Sequence, residues 1–558
     1  MSRLVECVPN FSEGRNRAVI DAIADAIKSV ADVKLLDVDP GADTNRTVYT
    51  FVGSPEAVAD AALKAAHKAY ELIDMSRHHG AHPRMAAMDV CPIVPISGVT
   101  MEECVEVARG IGRRVADELN LPVYFYEYAA TSEPRRSLAT IRAGEYEGLE
   151  RKLQDPAWAP DAGPARFDPK FGAPVVGARE FLIAYNVNLN TRDRKLANEI
   201  ALNIRENGRL ARDAQGAVIV DGMGNQARTP GRLKAVRAIG WYIDQYRQAQ
   251  VSINLINYKT TPLHVVFETV REEAEKLGLI VTGSELVGLM PLQPLVEAGR
   301  FYLRKQGKSA GAPEREVVET AVRSLGLDQL APFEADKKVI EYQFRARGPL
   351  VTMPVDRFVD EVSSESPAPG GGSVAALAGS LAAGLAAMVA NLTVGKKGYE
   401  AEWAGLSTVA EQAQNVKDRL VRAVDEDTDA FNAVMAAMRL PKATPEQQAA
   451  RGAALESGYQ HAAGVPLETA RACLEALELS LLVAQKGNRN SASDAGVAAL
   501  MARAGVEGAV LNVLINLGSV KDGGFKTSCR QETEALTTQA TRVCERVIET
   551  VKGTFVQG

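Results

Sequence analysis

The chain has 558 residues, which at about 150 residues per domain excludes a single core and predicts three to four folding units. Hydrophobic residues make up 46% and charged residues 24%, with 46 Gly and 26 Pro, a globular balance that excludes disorder and collagen-like repetition. The net charge of -6 supplies no positive field for a phosphate backbone or an acidic membrane surface, so nucleic acid is not an expected partner.

Residues 4–9 are predicted as a short strand, 16–29 as a helix from their apolar spacing, and 33–38 and 47–53 as strands. Between the last two, residues 39–45 are turn-rich and read as a loop suited to a site at a sheet edge. A helix over 57–72 and a strand over 90–96 follow. The pattern restarts near residue 181, with strands at 181–190, 217–221 and 251–255 and helices at 191–206 and 262–277. Two α/β (α+β) lobes of sheet and helix are implied, residues 1–181 and 182–335. The stretch 155–175 between them is dense in Pro and Gly and reads as a long loop, which in compact proteins is a linker or a binding element. After a linker at 336–354, residues 355–558 have helical spacing throughout and predict an all-α helical bundle. Its breaks fall at 363–373, 393–400, 439–447, 486–494 and 520–525.

Six cysteines, Cys7, Cys91, Cys104, Cys473, Cys529 and Cys544, lie far apart without C-x-x-C pairs or zinc-site spacing. The first residues contain no apolar stretch long enough for a signal peptide, and a reducing, cytoplasmic location is expected. Residues 366–395 carry no charge and are followed by Lys396 and Lys397, as a membrane span would be. Ala and Gly dominate that stretch, however, so a buried bundle helix is expected in place of stable membrane insertion.

Three of the six histidines fall in the segment 77–84, RHHGAHPR. His78 and His82 have metal-pair spacing, but Gly80 and Pro83 oppose a regular helix there and no acidic or cysteine cluster accompanies them. His82, fixed by Pro83 and beside Arg84, suits a general acid/base; a His-rich loop without chemistry remains the alternative. In the helical part, Asp425, Asp427 and Asp429 stand close together. At about 100° per residue Asp425 and Asp429 share a face while Asp427 lies with Val424, Phe431 and Val434. Desolvation there raises a carboxyl toward general-acid use, and an acidic helix start is the competing reading. The glycine cluster at 370–372 leads into a helix whose first amides suit an anion or a polar ring edge, and ordinary capping explains it equally. Asn488, Ser493 and Asp494 read in the same two ways.

The segments VECVPNFSEGRN (5–16), DPGADTNRTVYTFVG (39–53), HPRMAAMDVCPIVP (82–95), GPARFDPKFG (163–172) and VTGSELVGLMP (281–291) resemble glutamate formimidoyltransferase. APGGGSVAALAGSLAAGLAAMV, VDEDTDAFNAVMAAMRLPK and GNRNSASDAGVAA resemble formimidoyltetrahydrofolate cyclodeaminase, and their order is that of the fused formimidoyltransferase-cyclodeaminase family. The resemblance implies transfer of the formimino group of N-formimino-L-glutamate to N5 of tetrahydrofolate. Closure to 5,10-methenyltetrahydrofolate with loss of ammonia would follow. It makes His82 the transferase acid/base and Asp427 the cyclodeaminase aspartate. Gly163, Pro164, Ala165, Arg166, Phe167, Asp168, Pro169, Lys170, Phe171 and Gly172 become the folate-binding segment, with Arg166 and Lys170 expected on folate carboxylates and Phe167 or Phe171 against a ring. Tetrahydrofolate, carried as a polyglutamate, is the expected co-substrate, with no metal or nucleotide, and a ring-like homo-oligomer is the expected assembly. Two alternatives stay open: formyl transfer from N-formylglutamate, and a folate-binding or assembly protein with one inactive half.

Overall fold

The computed structural model describes residues 3–42, 44–80, 83–220, 226–344 and 348–556. The first lobe holds seven strands, β1 (Leu4–Cys7), β2 (Asn10–Phe11), β3 (Val33–Gly41), β4 (Arg46–Gly53), β5 (Met88–Ser97), β6 (Tyr124–Glu127) and β7 (Val175–Ala178). β3 forms one edge beside β4; β1 and β2 lie between β4 and β5; then come β7 and, at the far edge, β6. All pairings are antiparallel except β5 with β7 and β7 with β6. Helices α1 (Arg17–Lys28), α2 (Pro55–Leu72) and α3 (Met101–Leu119) cover one face. Each starts on a polar cap, Asn16, Ser54 and a Thr100/Glu103 capping box, which satisfies amides a helix start leaves free.

Strand alternation sorts side chains between two cores. Val5 and Cys7 of β1 join the helix-side core, whereas Leu4, with Val52 and Val94, joins the core of the second lobe. The strand expected at 33–38 runs on through Asp39 and Pro40 to Gly41, paired with β4. The expected loop at 39–45 therefore loses residues 39–41 to the strand, because ladder hydrogen bonds outweigh the local turn preference of Asp-Pro-Gly. Two short helices, α4 (Leu138–Ile141) and α5 (Leu149–Leu153), lead into the long loop before β7.

In the second lobe, β8 (Ile183–Leu189) and α6 (Arg194–Ile204) are followed by a small ladder of β9 (Arg209–Leu210) with β10 (Arg228–Thr229). β11 (Val236–Ile243), β12 (Gln248–Leu255), α7 (Leu263–Lys276) and β13 (Val281–Val287) follow. The main sheet has the order β11-β12-β8-β13, all antiparallel. The strand expected at 217–221 is replaced, over its described residues, by isolated bridges to Arg212 and Gln226. α8 (Leu292–Lys305), α9 (Glu314–Leu325), α10 (Ala335–Lys338) and α11 (Ile340–Phe344) complete this lobe. Val339, Ile340 and Tyr342 are buried in its core, so the lobe extends past residue 335 into the segment read as linker.

The remainder is helical: α12 (Val355–Val362), α13 (Gly371–Thr393), α14 (Trp403–Met438), α15 (Pro445–Lys486), α16 (Ala492–Leu517) and α17 (Gly523–Val556). α13 is long and apolar enough to cross a membrane, as is Arg489–Leu517, but most of the apolar window of α13 is buried within the bundle. Its alanines 382, 383, 386, 387 and 390 sit in a core with Leu420, Leu477 and Val506, where small side chains let helices approach closely. The turn between α8 and α9 seats this bundle on the two sheet-and-helix lobes. The carbonyl of Gly311 accepts from Asn391 Nδ2 and Gln414 Nε2, both at 3.0 Å, and Arg300 and Arg304 both pair with Glu411.

Candidate active sites

Four of the five transferase-like segments converge in the first lobe. Asn45 Oδ1 accepts from Gly14 N at 3.0 Å, and Asn45 Nδ2 donates to His79 O at 3.0 Å, tying residues 14, 45 and 79 together. Ser12 Oγ donates to Ala86 O at 2.7 Å. Gly14 and Gly80 lie where a Cβ would overlap the backbone of Gly41, Arg46 and Thr44, so close approach of these loops requires glycine at both positions. The residue expected to carry acid/base chemistry, His82, lies outside the described residues.

The chain on either side of it is anchored. His78 is buried; its Nε2–H donates to Asn45 O at 2.7 Å, and its Nδ1 accepts from Arg84 Nε at 3.2 Å. Burial, the larger influence, and nearby Arg84 hold the His78 imidazole below its ordinary value, opposed by the Asn45 bond. Arg84 is 8% exposed at its side chain and donates to both carboxylate oxygens of Glu147, at 2.6 and 3.0 Å, and to Glu145 at 3.3 Å. Its guanidinium also lies over the Tyr146 ring. His79, Gly80, Arg84, Gly144, Glu145 and Glu147 line a cleft of about 450 Å³. Sequence reasoning missed Glu145 and Glu147, since nothing local in 142–148 signals a partner 60 residues away.

The segment 163–172 packs on the same region. Met75 N donates to Lys170 O at 2.8 Å, Ala87 N to Phe171 O at 2.7 Å, and Tyr146 OH to Pro169 O at 2.6 Å. Gly163 and Gly172 have positive φ and stand where a Cβ would meet Leu121 and Met85 backbone. Asp168 Oδ1 accepts from the amides of Lys170 and Phe171, a side-chain turn that fixes the loop. Among the expected binding residues, Phe171 is fully buried in the helix-side core and presents no face to a ligand, a correction to the expected choice of Phe167 or Phe171. Phe167 is half-buried against Tyr146. Lys170 is engaged by Glu71 O and the Tyr70 ring, while the side chain of the exposed Arg166 has no partner among the described residues.

On the opposite face of this sheet Glu6 is buried, and burial pushes its carboxyl up to about 7 against the pull of Arg179. Arg142 pairs with Asp89, and Arg46 bonds Asn10, giving a charged layer on the sheet that the strand alternation alone did not reveal.

The helical domain holds the second constellation. Asp427 is half-buried on α14, and its Oδ2 accepts from Ser373 N at 3.0 Å and from Ser373 Oγ at 3.5 Å. Burial pushes its carboxyl above the ordinary aspartate value, the Ser373 bonds pull it back in part, and no charged side chain enters the balance. The glycine-rich start of α13 thus holds a carboxyl that belongs to a side chain of α14. A Cβ at Gly372 would overlap the Asp427 carboxyl, and one at Gly371 would press on Asn512 of α16, which places Asn512 beside the same helix start. Asp429 is exposed. Asp425 is buried and accepts from Leu350 N and Val351 N, so the shared face expected for Asp425 and Asp429 divides between connector and solvent. Asn488 caps a turn at the far end of α13, accepting from Asn490 N and Lys396 Nζ. The 22 residues of helix that separate its neighbour Thr393 from Gly371 put it roughly 30 Å from Asp427.

The formiminotransferase domain, N-terminal subdomain, matches residues 4–179, the formiminotransferase domain matches 184–345, and the formiminotransferase-cyclodeaminase family matches 354–535. The chain is 47% identical to the formimidoyltransferase-cyclodeaminase of Sus scrofa over 98% of its own length and 99% of that protein's. It is 41% identical to the glutamate formimidoyltransferase of Streptococcus pyogenes serotype M1, over 54% of this chain and 94% of the relative. A methenyltetrahydrofolate cyclohydrolase of Methylorubrum extorquens is 42% identical over 36% of this chain and 95% of its own. With matches along both parts and an identity of this size over nearly its full length, the chain belongs to the formimidoyltransferase-cyclodeaminase family.

Proposed function

We propose that the chain carries out two consecutive reactions on one folate, with His82 and Asp427 as the respective proton-transfer groups. The chain is a transferase and a cyclodeaminase acting on tetrahydrofolate. It moves the formimino group of N-formimino-L-glutamate to N5 of tetrahydrofolate and then cyclises the 5-formimino product to 5,10-methenyltetrahydrofolate, releasing ammonia. This is the chemistry by which the product of histidine breakdown yields glutamate.

In the transfer, the N5 lone pair attacks the formimino carbon while a base accepts the N5 proton. The same group then protonates the departing glutamate nitrogen, a double role that suits an imidazole. The Arg166 side chain, exposed and unpartnered among the described residues, is the group of the 163–172 segment best placed to hold a carboxylate of a polyglutamate tail. In the cyclisation, N10 attacks the amidine carbon and gives up its proton, and the C–N bond to the exocyclic nitrogen breaks. That nitrogen leaves as ammonia after gaining one proton in exchange for the one N10 loses and one from the acid. The observation that carries this assignment is the half-buried Asp427 carboxyl, raised by burial and without a cation partner, an environment that favours the protonated form a general acid needs. Neither step calls for a metal or a nucleotide.

A reducing cytoplasmic setting is supported by six cysteines that are all buried and outside any disulfide. Assembly into a ring-like homo-oligomer is supported by exposed apolar residues on adjacent helices: Val374, Leu381 and Met388 on α13 and Val497, Leu500, Leu511 and Leu514 on α16. They recur at seven-residue spacing on α13 and at three- and eleven-residue spacing on α16, the pattern of a seam that another helix covers.

Likeness of the helical domain to a cyclohydrolase adds a second reading, in which water adds to the methenyl carbon. A coupled assay with formiminoglutamate and tetrahydrofolate separates them. Methenyl absorbance with one ammonia per turnover supports cyclisation, whereas conversion of added methenyl product to a formyl folate supports hydrolysis. Turnover of N-formylglutamate at the rate of N-formiminoglutamate would overturn the donor assignment.

A further inference from the structure

The connector between the two parts is a folded strap. Thr352 Oγ1 donates to Gly348 O and Pro349 O, and Met353 N to Leu350 O at 3.1 Å, closing a turn over 348–353. Asp425 grips this turn: Oδ1 accepts from Leu350 N at 2.9 Å and Oδ2 from Val351 N at 3.2 Å. A Cβ at Gly348 would overlap the Asp425 carboxyl, so glycine permits this approach. Leu350 is buried with Phe358, Ala376, Ala423 and Val424, and Val351, Met353 and Leu377 pack around them.

These contacts surround one joint. Ala376 and Leu377 lie one turn beyond Ser373 on α13, and Ala423 and Val424 lie one turn before Asp427 on α14. At the same joint Ser373 Oγ donates to Val424 O at 2.7 Å. Residues 424 and 425 are therefore held from α13 through a backbone carbonyl and from the strap through a carboxylate. Leu350 wedges against both helices where they exchange the Ser373–Asp427 bonds.

We infer that Asp425 is a positioning residue for cyclisation: by fastening the strap 348–353 to α14 it sets the spacing of α13 and α14 on which the Ser373–Asp427 contact depends. The inference rests on the assignment of cyclisation to Asp427. It makes the chain segment leaving the transferase half one wall of the cyclodeaminase joint, so cyclisation depends on how that segment is seated. Charge-assisted bonds to two successive amides hold it, and an amide at 425 retains one acceptor and turns a donor toward an N–H.

The test uses the full chain with Asp425→Asn, Gly348→Ala, Asp425→Glu and Asp427→Asn. Asp425→Asn and Gly348→Ala are expected to lower kcat for ammonia release at least tenfold with KM unchanged and to shift the pH profile of cyclisation. Formimino transfer in the same preparations stays within twofold of wild type, and Asp425→Glu restores part of the loss. Wild-type kcat and pH profile in both Asp425→Asn and Gly348→Ala, with Asp427→Asn inactive, would overturn the positioning role alone. Equal loss of both activities with a lower Tm would reduce Asp425 to a fold anchor and overturn it too. Normal ammonia release by Asp427→Asn would overturn the catalytic assignment and the positioning role together.

Discussion

The amide of Ser373, the third residue of α13, donates to Asp427 Oδ2 at 3.0 Å, so the start of one helix grips a carboxyl that belongs to another. A helix N-terminus favours the anionic form, and burial favours the neutral one. Burial wins, since the Asp427 carboxyl sits above its ordinary value of 3.8.

The sign for catalysis follows. A general acid is active only while protonated, so cyclisation falls as pH rises through the Asp427 pKa, and this falling limb lies above the usual aspartate range. Ser373→Ala removes the Oγ contact, which favours the charged form, and keeps the amide; the limb then moves slightly to higher pH. A pH profile of kcat for ammonia release checks both statements, and a limb displaced to lower pH contradicts the assigned balance.

Asp427→Asn keeps an acceptor for Ser373 N but has no proton of the required acidity. Loss of a positioned general acid costs 10²- to 10⁴-fold, and a fall of about 100-fold or more in ammonia release is expected with formimino transfer intact. Gly372→Ala acts on the same carboxyl by volume, because its Cβ would overlap it. It is expected to lower cyclisation at least tenfold while transfer continues, measured in one coupled assay that follows 5-formimino intermediate and methenyl product together.

Helical phase was enough to separate Asp427 from its two neighbours, because a period of 3.6 residues orders side chains around an axis without knowledge of what they face. It did not reveal that Asp425 faces a strap 75 residues earlier in the chain, since such a partner leaves no local trace. The bundle was legible from its spacing and breaks. The strand at 236–243 is absent from the sequence reading although buried and exposed residues alternate from Val236 to Gly240, and the turn residues Asp39 and Pro40 read as a loop although pairing with β4 extends the strand through them. Phe171 shows the opposite error: a loop is read as surface, yet this loop carries its phenylalanine into the core.

Glu6 provides a test within the first lobe. Its carboxyl rises from 4.5 to about 7 on folding through burial, so the folded state binds the proton more tightly than the unfolded one. Its contribution is fully present below about pH 4.5 and is lost as pH rises through about 7. At 1.36 kcal/mol per pKa unit the loss is up to about 3 kcal/mol. Glu6→Gln has no proton to lose, so urea unfolding is expected to show the variant gaining on wild type between pH 5 and pH 8. A constant difference across that range contradicts the burial argument.

Arg84 ties the cleft together through groups that no single ammonium can span. Its Nε serves His78 Nδ1, one terminal nitrogen serves His78 O and Glu147, and the other serves Glu147 and Glu145. Glu147 is the first cause of its raised pKa. Arg84→Lys retains the charge but replaces a planar fork by one point donor, leaving His78 Nδ1 without its donor and Glu147 with one bond in place of two. Charged hydrogen bonds contribute roughly 1.5 to 3 kcal/mol each, so a stability loss of about 2 kcal/mol in the first lobe is expected. His78, anchored on Asn45 O at 2.7 Å, loses its second tether, and formimino transfer is expected to fall at least tenfold. Ammonia release from supplied 5-formiminotetrahydrofolate, which depends on α13 and α14, stays at the wild-type rate. A variant that transfers normally while the urea midpoint drops would show that the Arg84 clamp supports the lobe without ordering its chemistry.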